Sequence, residues 1–158
     1  GEKYAKKELK KVIILLVATI IILISSIIVI SNDQNYKIIY VGYIDNAKSA
    51  VLIDNYDSFS TYLEKYSRKI YDEYGNIIST TTDELKKEYD ENYFKNNNLA
   101  IQYVPTNSGS IKIKWVRTKI KDDTLEIKYD LDVPKIGTMD MNGFIIIVET
   151  DKSIKKVR

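Results

Sequence analysis

The sequence predicts an α+β protein: an N-terminal transmembrane helix, then one extracytoplasmic domain with an antiparallel sheet and about two helices. Three observations predict it. Residues 12–30 form an uncharged, mostly apolar run, two stretches between residues 55 and 95 carry apolar residues at helical spacing, and residues 99–149 hold several β-like runs separated by turn residues.

The apolar run, Val12 to Ile30, has 19 residues of which 16 are apolar, the exceptions being Thr19, Ser25 and Ser26. As a helix it measures about 28 Å, the thickness of the hydrocarbon core. Its hydroxyls can return to the helix backbone. Residues 1–11 carry five lysines against Glu2 and Glu8, and only Lys37 and Lys48 follow closely. Cationic flanks stay on the cytoplasmic side. The expected order is a cytoplasmic basic stub (1–11), a signal-anchor helix (12–30), a polar tether (31–36) and an extracytoplasmic domain (37–158). The run exceeds the 7–15 apolar residues of a cleavable signal core, so an uncleaved anchor is expected.

Composition closes several routes. The chain has no Cys and no His, which excludes disulfides, His- or Cys-ligated zinc and catalysis by either residue. Of 24 basic and 22 acidic residues, five and two lie in 1–11, leaving 19 and 20 in the remainder. That near-neutral body offers nucleic acid no basic field.

Along the domain, Lys37–Ile44 and Ala50–Ile53 are β-like, separated by the turn-like Asp45-Asn46-Ala47. Asn55 to Ser58 can cap a helix whose apolar face is Tyr56, Phe59, Tyr62, Leu63, Tyr66 and Ile70. Tyr71 to Thr80, with Gly75-Asn76, suits a loop or small hairpin. Thr81 to Glu84 fits a capping box for a second helix presenting Leu85, Tyr89 and Tyr93, ended by Asn96 to Asn98.

The remainder reads as an antiparallel meander. Leu99–Val104 is a strand closed by Pro105, and Ile111–Lys121 and Thr124–Val133 form a hairpin through Asp122-Asp123. Ile111, Ile113 and Trp115 share one parity while Val116 and Ile120 share the other, so a bulge is expected near Trp115 and Val116. The resulting register sets Ile120 against Leu125, Thr118 against Ile127, Val116 against Tyr129, Ile113 against Leu131 and Ile111 against Val133. On the outer face it sets Lys119 against Glu126, Lys114 against Asp130 and Lys112 against Asp132. Phe144–Glu149 is apolar on both parities and should be a central, doubly covered strand.

Tyr93-Phe94, Asn98-Leu99-Ala100-Ile101, Ser108-Gly109-Ser110-Ile111 and the run from Pro134 to Met141 ahead of an apolar strand form an ordered set. Over residues 82–150 this set resembles a group of uncharacterised extracytoplasmic domains of low-GC Gram-positive bacteria. More distantly it resembles the C-terminal domain of the PrcB type, named for a protease-complex subunit. Members of the group often carry a His after the Asp-Met pair; here Asn142-Gly143-Phe144 follows, so a role for that His is absent. The resemblance implies an extracytoplasmic α+β domain and no catalytic residues.

Candidate sites are few. The segment Pro134 to Gly143 stands out, with Pro134 and Gly137 fixing turns and Met139 and Met141 flanking Asp140. Two methionines on a loop suit an adaptable partner-binding surface; alternatively they cap the sheet end while Asp140 holds backbone amides. Asp130, Asp132 and Asp140 could hold a hard cation only outside any recognisable ligand loop. The tyrosines of the two helical faces are expected at the core margin, hydroxyls in water. No nucleophile elbow, Ser-x-x-Lys pair or phosphate loop occurs. The function expected is non-catalytic contact with an unknown envelope protein, with cell-wall glycan binding through exposed Tyr and Trp115, or a carboxylate-based hydrolase, as alternatives; no cofactor is expected.

Overall fold

The computed structural model describes the backbone of residues 2–30 and 34–158 and the side chains of residues 4–20 and 34–158. It divides into two compact units, Gly1–Asp33 and Gln34–Arg158.

In the first unit, helix α1 runs from Glu2 to Ile30. The predicted return of a hydroxyl to the backbone is present at Thr19, whose Oγ1 donates to the Leu15 carbonyl at 2.9 Å. Ile14 and Leu15 are exposed. Among the described residues no helix is long and apolar enough to cross a membrane. The span predicted over Val12–Ile30 continues past Ile20 into residues whose side chains lie outside the described ones.

The second unit is α+β. Its strands are β1 (Tyr36–Gly42), β2 (Ala50–Ile53), β3 (Lys69–Tyr71), β4 (Ile77–Thr80), β5 (Asn97–Thr106), β6 (Lys112–Lys121), β7 (Thr124–Asp132), β8 (Asn142–Asp151) and β9 (Lys156–Val157). Its α-helices are α2 (Tyr56–Tyr66) and α3 (Asp83–Glu88), followed by a 3₁₀ turn over Tyr93–Lys95. Three sheets form: β1-β8-β5-β2, β3-β4 and β6-β7-β9.

The four-stranded sheet is the middle layer, and its alternation divides the core. Leu99, Ile101, Tyr103, Ile145 and Ile147 point to the helices, where Phe59, Leu63, Tyr66, Leu85, Tyr89 and Phe94 meet them. Ala100, Val104, Ile146 and Val148 point the other way, onto Val116, Leu125 and Ile127 of the three-stranded sheet. Both inner strands are therefore apolar on both parities, as expected of the run at 144–149. At roughly 25 cal/mol per Å², burying each large side chain contributes about 1.5–3 kcal/mol.

The β6–β7 hairpin keeps most of its expected register. Ile120 pairs with Leu125, Thr118 with Ile127, Val116 with Tyr129, Ile113 with Leu131, Lys119 with Glu126 and Lys112 with Asp132. Asp122 takes the positive φ that the two-residue turn requires. The register shift falls one step earlier than expected, between Ile113 and Trp115, so Trp115 rather than Lys114 faces Asp130. Trp115 then turns outward, where the Arg117 guanidinium lies 5.0 Å from its ring centroid. The strand also starts at Lys112, leaving Ile111 without Val133 as a partner.

Other expectations change. The meander does not form: β5 lies between β8 and β2, and β6 belongs to the other sheet. β5 also continues through Pro105 to Thr106. β2 reaches only to Gln102, so Pro105 is already on an open flank where a missing amide is tolerated. The helix expected through Tyr93 stops at Glu88, and Ile70 lies in β3 rather than on α2. The capping box expected from Thr81 to Glu84 is absent: the N-cap falls at Thr82, whose hydroxyl bonds Ser67, and the Thr81 hydroxyl accepts from the Arg68 amide at 3.1 Å. Asp83 instead accepts from the Thr80 amide at 2.8 Å and the Thr80 hydroxyl at 2.6 Å. Asn55 caps α2 as expected, accepting from the Ser58 amide at 2.8 Å.

Candidate functional site

The register of β1 on β8 defines two ends of the middle sheet. Tyr36, where the chain enters the sheet, pairs with Val148, and Gly42 pairs with Asn142. Seven residues of strand separate these ends by about 20 Å. The segment 133–141 joins β8 at the far end from Tyr36.

All five singled-out residues, Pro134, Gly137, Met139, Asp140 and Met141, lie on this connection. Its backbone is braced against the turn at Ser108 to Ser110. Gly109 N donates to Thr138 Oγ1 at 3.0 Å and to Asp140 Oδ1 at 3.0 Å. Thr138 N donates to Ser110 Oγ at 3.3 Å, and the hydroxyls of Ser108 and Thr138 are 3.2 Å apart. Asn142 Nδ2 donates to Asp140 Oδ2 at 2.6 Å. The Thr138 hydroxyl, the Gly109 amide and the Asn142 side chain together hold the Asp140 carboxyl down at about 2. Glycine lets the two sides of the brace come close: a Cβ on Gly109 would meet the Asp140 carboxylate, and one on Gly137 the Ser108 hydroxyl, so each polar group would have to shift.

The Asp140 half of the capping alternative therefore holds, but the methionine half does not. Met139 is 98% exposed and Ile136 91%, and Val133 and Met141 are exposed too. Polar bonds fix the backbone, so these side chains have no core to fall into.

A second apolar element stands at the same end. Tyr40 donates to Asn142 Oδ1, and Arg68, at the foot of the β3–β4 hairpin, donates to the Tyr40 hydroxyl at 3.3 Å. The hairpin exposes Ile70, Tyr71, Ile77, Ile78 and Tyr74, the last at 82%. Its tip is rigid: Asp72 accepts from Tyr74 N at 2.9 Å and Asn76 N at 2.8 Å, and Gly75 takes a φ of 84°. A two-stranded ribbon gains little from self-association of its own faces, so its exposed side chains add no core. The contacts of Thr138, Ser108, Tyr40 and Arg68 escaped sequence reasoning, because they join residues 28 to 102 positions apart.

Elsewhere the acidic alternatives are engaged otherwise. Among the described residues no group of three or more acidic side chains could hold a metal ion. Asp130 Oδ1 accepts from the Leu131 amide at 3.0 Å, and Asp132 faces Lys112. A depression of about 310 Å³ is lined by Asp54, Asp57 and Glu91 with Lys95. Asp54 there accepts from the Asn55 side chain at 2.7 Å. The helix-face tyrosines meet protein rather than water: Tyr89 donates to Glu149 Oε1 at 2.9 Å and Tyr93 to the Asn98 carbonyl at 3.4 Å. Burial, with Glu149 beside them, pushes both phenols well above their usual range.

Compared with known proteins, the chain matches no family model, no curated protein and no solved structure.

Proposed function

We propose that the chain is a single-pass, membrane-anchored module that acts outside the cytoplasmic membrane by gripping another envelope protein, without catalysis of its own. One observation carries the reading: Ile136 and Met139 are held out in water by a hydrogen-bonded brace at the end of the sheet far from Tyr36. Exposed apolar side chains on a fixed backbone suit docking, because little ordering entropy is lost on binding. Thioether flexibility adds tolerance to the partner's shape. The anchor half of the reading rests on the apolar run Val12–Ile30 and the lysines before it, with lipid as the medium for Ile14 and Leu15. The likeness to PrcB-type extracytoplasmic domains agrees with this placement. Wall-glycan binding is the second reading, favoured by the exposed rings of Tyr71 and Tyr74.

The test is photo-crosslinking in intact cells from a benzophenone residue at 139, with the same residue at Lys114 as control. The expected result is a discrete protein adduct from position 139 alone, retained in carbonate-washed membranes. Adducts trimmed by wall-degrading enzymes would favour glycan instead. Equal adducts from both positions, or full release by carbonate, would overturn the proposal.

A further inference from the structure

The groove between α2 and β2 is a separate feature from the far-end surface. It encloses about 570 Å³ and is lined by Val51 and Ile53 from the strand and by Thr61, Tyr62 and Lys65 from the helix. That volume is in the range of small-ligand sites. The floor is apolar, and Tyr62 stacks on Tyr66 with ring centroids 4.1 Å apart.

Charge is distributed along the groove with direction. The Lys48 backbone meets Tyr66 in the last turn of α2, so Lys48, which precedes the strand, lies at the same end as Lys65. Asp57 and Ser58 line the opposite end. Neither Lys48 nor Lys65 takes part in an ion pair among the described residues. The Tyr62 hydroxyl is buried beside that of Tyr66. From Asp57 to Lys65 the helix rises about 12 Å. An extended peptide covers that length with about three to four residues.

The strand supplies the reason to prefer a peptide. β2 is the outermost strand of its sheet. Tyr103 N donates to the Ser49 carbonyl at 2.8 Å, so Ser49, Val51 and Ile53 turn their backbone groups toward β5. Ala50 and Leu52 turn theirs away, and among the described residues no strand pairs with that side. An open edge beside a helix is the setting for strand addition.

We propose that this groove binds the C-terminal end of an extended apolar polypeptide, its free carboxylate against Lys48 and Lys65 and its side chains over Val51, Ile53 and Tyr62. Asp57 disfavours a second anion at the other end. The test is equilibrium dialysis of the full chain in detergent against a pool of N-acetylated tetrapeptides of Val, Leu, Ile and Tyr. Free acids are compared with the same pool amidated and with laurate.

The expected result is retention of acids over amides by about tenfold, as loss of one charged contact implies. Thr61→Trp should abolish retention by filling the groove, and Lys48→Glu with Lys65→Glu should reverse the preference, with circular dichroism confirming the fold of each. Retention of neither pool, equal retention of both, retention unchanged by Thr61→Trp, or laurate taken in preference to peptide would overturn it.

Discussion

The two ends of the middle sheet are finished in different ways. Near Tyr36 a buried ring closes the surface: Tyr89 reaches Glu149, and Lys37 pairs with Glu88 at the exposed end of α3 beside it. Beyond Asn142 the exposed 133–141 connection is held by hydrogen bonds, through Ser108, Gly109, Thr138, Asp140 and Asn142. Order at the first end follows from burial, whereas at the second it leaves apolar side chains in solvent. The difference teaches that a rigid loop need not be a packed one, and that rigidity without packing is what leaves a surface available.

The largest expected effect is on the packed side. Phe59 is fully buried, edge-on to Tyr89 at 5.8 Å and against Phe94 at 5.6 Å. Phe59→Ala should cost about 3–5 kcal/mol in a denaturant titration. The matching truncation at the exposed end, Met139→Ala, should change stability by less than about 0.5 kcal/mol. Similar losses for both would erase the distinction.

A smaller effect is expected where the two regimes meet. A Cβ on Gly143 would lie 2.7 Å from the Tyr103 ring. That ring cannot step aside, because its hydroxyl donates to the Gly42 carbonyl and accepts from the Ile44 amide at 2.8 Å. Gly143→Ala should therefore cost about 1–3 kcal/mol, read by the same titration.

The gentlest probe is acid. The folded Asp140 carboxyl titrates at about 2 against an ordinary 3.8, so it favours the folded loop once ionised. Its contribution is complete above the ordinary value and is lost as pH falls toward about 2. Amide exchange at Gly109 should thus rise in the wild type as pH drops through that window, after correction for intrinsic exchange. In Asp140→Asn the corrected exchange should be raised already at neutral pH and flat below it. An identical profile in the two proteins would remove Asp140 from the brace.

Legibility in the sequence followed the same division. The β6–β7 register was readable because both faces gave the same pairing, apolar inside and, apart from Arg117 against Lys128, opposite charges outside, so a one-residue slip was penalised twice. The doubly buried β8 was readable from its unbroken apolar run. The pairing of β5 was not, since a strand's apolar pattern says that it is covered and not which strand lies beside it. β9, at two residues, is too short to carry any period. Of the candidate site, the unusual loop and its methionines could be located, and the tie of Asp140 to backbone could be foreseen. The partners that fix it could not, because Ser108 and Tyr40 look like any surface hydroxyl until the sheet brings them together.

The arrangement of β1 against β8 has a mechanical consequence. Tyr36 begins β1 at one end, and Asn142 begins β8 at the other, with seven residue pairs between the two strands. A tug on the N-terminal side and a counter-tug through the 133–141 loop would slide the strands lengthwise past each other. Force along that axis loads every cross-strand hydrogen bond at once, since these bonds lie perpendicular to the strands. Peeling, which breaks them one by one, would need the two tugs applied at the same end. The pairing of β1 with β8 thus resists tension applied between Tyr36 and Asn142 more than tension applied at a single end.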